Sequence, residues 1–206
     1  MDLRPLLDFV FPAQCANCNL LGSGLCNACR PSGDPLEVRL PSLRVRAVAA
    51  YEGSLRTAVL ALKDGRRDVA EALATLAAPL VALGTTLLPV PTTAKRRRVR
   101  GLDGVALMAR AAATIAGASV VIALDQRSGA AQQGRSRAER LAARGRFDCT
   151  SAVAGRRVTL FDDVCTTGST LRDCATAVRE AGGSVDDAIV VAVANGPHPW
   201  SHPLPR

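Results

Sequence analysis

Apolar and polar positions along the chain switch between two periods. The segment 44–51, RVRAVAAY, alternates polar with small apolar residues and reads as a strand, whose side chains point to opposite faces in turn. The next apolar stretches, LRTAVLAL at 55–62 and DVAEALATLAAPLVAL at 68–83, repeat at three- and four-residue intervals and read as helices. TLLPVP at 86–91 is a short continuous apolar run closed by proline, which suits a buried strand. GVALMARAAATIA (104–116) predicts a helix, SVVIAL (119–124) a strand and SRAERLAARG (136–145) a short helix. RVTLFDDV (157–164) predicts a strand, STLRDCATAVREAGG (169–183) a helix ended by glycine, and DDAIVVAVA (186–194) a last strand.

Strands that alternate with helices need crossover connections, which are right-handed and lay the strands parallel. The expected fold class is therefore α/β, built on an open, mostly parallel sheet. Ahead of it, RPSGDPLEVRLPSL (30–43) carries three prolines and reads as a linker, so that 1–43 is an N-terminal segment and 44–206 the main domain. The tail NGPHPWSHPLPR (195–206) reads as irregular, with His198 and His202 as surface residues.

At 206 residues the chain is long enough to bury one core of ordinary size. Charge adds more. The net charge is +8, and apart from Lys63 and Lys95 every basic residue is arginine, whose planar fork suits bidentate phosphate contact. Part of this basicity reads as composition, while the clustered arginines fit a polyanionic ligand or nucleic acid. No apolar run approaches the roughly 18 residues of a membrane span. The start, MDLRPLLDFVFPAQ, carries Asp2 and Asp8 and lacks the basic-then-apolar block of a secretory leader. A cytoplasmic protein without membrane insertion is expected, and there seven cysteines are not expected to form disulfides.

Four of the cysteines, Cys15, Cys18, Cys26 and Cys29, fall in CANCNLLGSGLCNAC. Each C-x-x-C pair can turn two thiolates onto one ion, and the spacer with Gly22 and Gly24 is short enough to fold back as a knuckle. Four soft ligands suit tetrahedral structural Zn²⁺ and leave no open position for chemistry. A redox C-x-x-C is the alternative at this spacing. Cys149, Cys165 and Cys174 have no partner at ligand spacing and read as core or loop residues.

The densest chemistry lies in VTLFDDVCTTGST (158–170). Asp162 and Asp163 stand together at a strand end, where exposed like charges repel, and the TTGST turn leads into a helix. In an open parallel sheet ligands bind beyond the carboxyl ends of the strands. The turn can offer backbone N–H groups, hydroxyls and a helix N-terminus to a phosphate. Gly168 supplies a backbone angle and a close approach that a side chain would block. Carboxylates beside such a cradle suit sugar hydroxyls, and the two together describe a ribose 5-phosphate. A carboxylate metal site and a plain capping turn are compatible with the same residues.

This stretch resembles the phosphoribosyl pyrophosphate (PRPP) signature of type I phosphoribosyltransferases, with apolar strand, acidic pair and T-T-G-x-T loop in order. With the four-cysteine knuckle, YEGSLRTAVLALKDG (51–65), LPVPTTAKRRRVRGLDGVALMA (88–109) and RSGAAQQGRSRAER (127–140), the chain is similar to the ComF family of phosphoribosyltransferase-like competence proteins over nearly its whole length. The resemblance implies that Asp162 and Asp163 are the catalytic pair holding the ribose hydroxyls. It also implies that Cys165, Thr166, Thr167, Gly168, Ser169 and Thr170 wrap the 5-phosphate, that Val164 is among the PRPP-binding residues, and that Mg²⁺ arrives with PRPP. Lys63, Arg98 and Arg100 are the expected cations for the pyrophosphate, and Gln132, Arg135 and Arg137 belong to an expected lid or acceptor loop. Where family members carry Arg-Gly-Phe-Asn-Gln, this chain has Arg100, Gly101, Leu102, Asp103 and Gly104, which removes amide side chains from a helix start. The resemblance further implies a role in DNA uptake, with single-stranded DNA and the competence helicase machinery as partners. The alternative function is that of a non-catalytic accessory protein binding single-stranded DNA.

Overall fold

In the computed structural model, residues 12–92, 103–126 and 146–194 are described in full and 201–203 by their backbone. The chain runs β1 (Leu36–Leu40), β2 (Leu43–Ala50), α1 (Gly53–Lys63), α2 (Arg67–Ala77), β3 (Thr86–Pro89), α3 (Gly104–Ala116) and β4 (Ser119–Val120). It continues β5 (Leu124–Gln126), β6 (Phe147–Cys149), β7 (Arg157–Cys165), α4 (Ser169–Glu180), β8 (Ser184–Val193) and β9 (Ser201–Pro203). Seven strands form one sheet in the order β4-β3-β7-β8-β2-β1-β9. From β4 to β2 every pairing is parallel, and β1 and β9 close the far edge antiparallel. The expected α/β class with an open, mostly parallel sheet is the class observed.

Alternation along the strands builds two cores. Phe161 of β7 with Ile189 and Val191 of β8 face α1, α2 and α3, while Leu160, Ala188 and Val190 face α4 and the β5–β6 ribbon. Both faces of the sheet are covered, so β8 reads as one apolar run from Ala188 to Val193 and shows no strict alternation.

Four expectations are corrected. The linker contains β1: Leu36, Val38 and Leu40 face one side with Glu37 and Arg39 opposite, and a two-residue turn at Pro41 and Ser42 joins it to β2. The flanking prolines masked that period-2 pattern. The second helix stops at Ala77, because Pro79 has no N–H to continue it, and a 3-10 turn follows over Ala78–Leu80. The expected strand 119–124 divides: after the Val121 N–H donates to Leu87 O at 2.9 Å, Leu124–Gln126 leaves the sheet to pair with β6. The tail contributes β9, which pairs with β1. The short helix expected at 136–145 lies outside the described residues.

The cysteine knuckle is docked on the helices. Cys15 and Leu25 are fully buried in the same core as Leu55 and Val69. Ser54 Oγ donates to Cys29 O at 2.5 Å, Gln14 N donates to Asp68 Oδ2 at 3.4 Å, and Arg66 donates to the Gln14 carbonyl. Closest of all is Gly24: a Cβ there would lie 2.4 Å from Asp68 O and 2.6 Å from Val69 Cα, both backbone atoms that cannot swing aside. Gly24→Ala is therefore expected to cost about 1–3 kcal/mol by overpacking. Urea denaturation of the two proteins checks this, and equal midpoints would show that the knuckle does not press on α2.

Candidate functional site

The connections through α3 and through α4 run in opposite directions from β3 and β7, so a crevice opens between the carboxyl ends of these two neighbouring strands. The Val90 N–H donates to Phe161 O at 2.8 Å, which holds the end of β3 beside the acidic pair. The cavity measures about 360 Å³, and its walls include Lys63, Thr92, Arg146, Asp162, Asp163 and Thr170.

The acidic pair is not two exposed, repelling charges, as its sequence suggests. Asp162 is 8% exposed, and its Oδ1 accepts the Asp163 N–H at 2.8 Å. Burial, reinforced by the neighbouring Asp163 charge, raises its carboxyl well above the usual carboxylate range. Asp163 accepts the Val164 N–H at 2.6 Å and meets Lys63 Nζ, from the last residue of α1, at 3.2 Å. One like charge is thus suppressed by desolvation and the other matched by a cation.

Within the loop, Cys165 is buried and burial pushes its thiol up to about 11, so it packs in the core and presents no nucleophile. Thr166 and Thr167 are exposed. Gly168 caps α4 at φ 71°, the left-handed angle expected of it. A Cβ there would meet Leu40 Cδ1 of β1 at 2.4 Å, so the glycine is also required by packing across the sheet. The Thr167 hydroxyl accepts the Ser169 N–H at 3.4 Å and donates to Ser169 Oγ at 3.3 Å. Thr170 lines the crevice, so the first turn of α4 opens onto it.

Asp103, at the position that departs from the resembled pattern, has a structural task. Its Oδ1 accepts the Ala106 N–H at 3.2 Å, capping α3, and the Thr92 hydroxyl at 3.4 Å. Gly104 fits beneath Leu62, whose Cδ1 would lie 2.9 Å from a Cβ there. Arg98, Arg100 and the rest of the 95–101 run, with Gln132, Arg135 and Arg137, lie outside the described residues. Sequence reasoning missed Arg146. Its Nε meets Asp173 Oδ2 at 2.7 Å and its Nη2 meets Ser169 Oγ at 3.2 Å. An arginine in an arginine-rich stretch before a three-residue strand carried no signal of this placement.

In the knuckle, the four cysteine sulfurs lie within 4.8 Å of one another. Cys18 and Cys26 Sγ are 3.6 Å apart, close to the ~3.8 Å edge of a tetrahedron with ~2.3 Å Zn–S bonds. Asn17 Nδ2 donates to Cys29 Sγ at 3.4 Å, an outer partner of the kind that orients a ligand. Burial raises the Cys15 thiol, but the N–H groups of Cys26, Cys18 and Asn17 outweigh it and bring it down to about 6. The Asn17 amide favours the Cys29 thiolate, yet desolvation and the other sulfurs push it up to about 12. Four sulfurs this close ionise together only around a cation, and the donor set fits a closed metal site.

An open, mostly parallel sheet with an acidic pair and a glycine-capped helix at its switch point is the architecture of the type I phosphoribosyltransferase kind, here preceded by a four-cysteine knuckle. No family model matches the chain. Orotate phosphoribosyltransferase of Nocardioides sp. is 52% identical over 52 residues, 25% of this chain and 28% of that protein. Orotate phosphoribosyltransferase of Methanopyrus kandleri is 54% identical over 39 residues, 19% of this chain and 21% of that protein. The matched stretches span only about a quarter of these curated relatives.

The raised Asp162 value sets a sign for pH. Its contribution to stability is full below the unfolded value of about 3.9 and is lost as pH rises through the higher folded value. Asp162→Asn is therefore expected to be more stable than wild type at pH 8, with the gap narrowing toward pH 5. Urea midpoints measured across that range check this, and a constant offset at every pH would contradict it.

Proposed function

We propose that this protein is phosphoribosyltransferase-like and binds PRPP with Mg²⁺ in the crevice beyond β3 and β7. The observation that carries the proposal is the convergence of the Asp162–Asp163 pair, Lys63 and the hydroxyl-bearing first turn of α4 on one cavity. The short identities with two proteins named orotate phosphoribosyltransferase support it. In this reading Asp162 and Asp163 hold the ribose 2- and 3-hydroxyls. The loop Cys165–Thr170 encloses the 5-phosphate, and Lys63 with Arg98 and Arg100 neutralises the pyrophosphate.

Asp162 is buried and Asp163 is matched by Lys63, so neither offers a free carboxylate to an ion. Magnesium fits as a companion of the substrate, bound through phosphate oxygens and water and supplying charge neutralisation there. The reaction such a site serves joins a nucleophilic acceptor to ribose C1 while the bond from C1 to pyrophosphate breaks, its electron pair leaving with the pyrophosphate. Positioning and stabilisation of the departing charge supply the acceleration. The knuckle holds one structural Zn²⁺.

Two measurements test the proposal. Calorimetric titration with PRPP and Mg²⁺ is expected to show the double variant Asp162→Asn, Asp163→Asn binding about 2–4 kcal/mol more weakly, as loss of one charge-assisted bond from Asp163 and one neutral bond from Asp162 requires. Unchanged affinity would remove the ribose assignment. Metal analysis is expected to give one zinc per chain. Because the knuckle shares the core of α1 and α2, chelation should lower the stability of the whole protein, not of the knuckle alone. Intact thiols with no metal would overturn the zinc assignment.

A further inference from the structure

Arg146 stands where electrostatics disfavours a cation. It lies over the first turn of α4, at the positive end of the helix dipole. Nη2 reaches Ser169 Oγ at 3.2 Å and Thr170 Oγ1 at 3.5 Å, while Nε is held by Asp173 Oδ2 at 2.7 Å. The pair is open to water, with the two side chains 53% and 34% exposed, so it adds little stability to justify the placement. An anion between the guanidinium and the helix end would reverse the sign of the whole arrangement. Arg146 also lines the crevice wall together with Thr170.

The hydroxyls beneath it are oriented for the same purpose. Ser169 Oγ accepts from Thr167 at 3.3 Å and from Arg146 at 3.2 Å, which leaves its own proton to be donated elsewhere. The contacts to Asp173, Ser169 and Thr170 use three of the five N–H groups of a guanidinium, whose planar fork matches phosphate oxygens.

We propose that Arg146 is a binding residue for the terminal phosphate monoester of the ligand, completing with Ser169 and Thr170 a cradle whose charge comes from a side chain as well as from the loop backbone. This rests on the PRPP reading of the crevice and adds to it the cation at the sugar-phosphate end, distinct from those assigned to the pyrophosphate. Asp173 holds the guanidinium in place until the phosphate arrives, and its own charge opposes the ligand.

Binding of ribose 5-phosphate, of pyrophosphate and of PRPP to wild type, Arg146→Ala, Arg146→Lys and Asp173→Asn tests this, with thermal unfolding to establish that each variant folds. Arg146→Ala is expected to weaken ribose 5-phosphate and PRPP by about 10- to 100-fold, the range for losing a charged hydrogen bond, and to leave pyrophosphate unchanged. Arg146→Lys should lose less, keeping the charge but not the fork. Asp173→Asn should bind ribose 5-phosphate as well as wild type or more tightly, since a competing carboxylate is gone. Equal losses in Arg146→Ala and Asp173→Asn would make the pair a clamp on the loop and overturn the proposal, as would full ribose 5-phosphate affinity in Arg146→Ala. Wild type that binds neither PRPP nor ribose 5-phosphate would instead defeat the underlying reading of the crevice, and the role of Arg146 with it.

Discussion

A parallel sheet must be covered on both faces, and most of this structure follows from how that is done. β7 and β8 lie at its centre, with Leu160, Phe161, Ile189 and Val190 all fully buried, so strand residues alternate between two cores and not between core and water. One core is roofed by three helices and the cysteine knuckle, the other by α4 and the β5–β6 ribbon. Because both faces are closed, polar chemistry on β7 can emerge only at its carboxyl end. Asp162 and Asp163 stand there, with the crevice beside them.

That position forces an electrostatic solution. Asp162 comes directly after the fully buried Phe161 and is itself 8% exposed, so ionising it costs desolvation energy and sets it against Asp163. The chain answers with two different devices, a carboxyl held toward its protonated form and a carboxylate paired with Lys63. A protonated carboxyl both donates and accepts, whereas an ionised one only accepts, so the two neighbours offer unlike hydrogen-bonding faces to a ligand. At the other end of the loop Arg146 and Asp173 repeat the theme, a cation and an anion held close by the same hydroxyl-bearing turn.

What could be read from sequence was what periodicity and spacing encode. The four longer helices, the central strands and the parallel class follow from the switch between periods of two and about three and a half. The four sulfurs meet because C-x-x-C spacing leaves them little else to do. What escaped was set by partners distant in the chain. β1 was hidden by prolines at its flanks and exists because β2 lies antiparallel beside it. β6 is three residues long, too short for any period, and is defined by pairing with β5. The burial of Asp162, its neighbour's bond to Lys63 and the seat of Arg146 on α4 join residues separated by tens of positions, and no local pattern announces them. Gly168 was readable as a glycine that must turn, but its contact with Leu40 was not, since that contact spans the sheet.

The knuckle also answers a weakness of the helices it covers. The buried positions of α2 are Val69, Ala70, Ala72, Leu73, Ala74 and Ala77, four of them alanines. Alanine lets helices approach closely, and α2 packs on α3 through such small residues, yet each buried methyl removes little apolar area from water compared with a leucine. Leu25 and the buried faces of Cys15 and Cys26 fill space that larger side chains on α2 would otherwise occupy. Gly24 then brings backbone against backbone where α2 begins. Four sulfurs bound to one ion would fix that lid without needing a core of its own, and metal–ligand bonds would then recover, on the other side of the contact, the stability α2 forgoes in side-chain volume. The same contact reaches the crevice: Arg66, which donates to Gln14 beside the first cysteine, follows Lys63 by three residues, and Lys63 is the partner of Asp163.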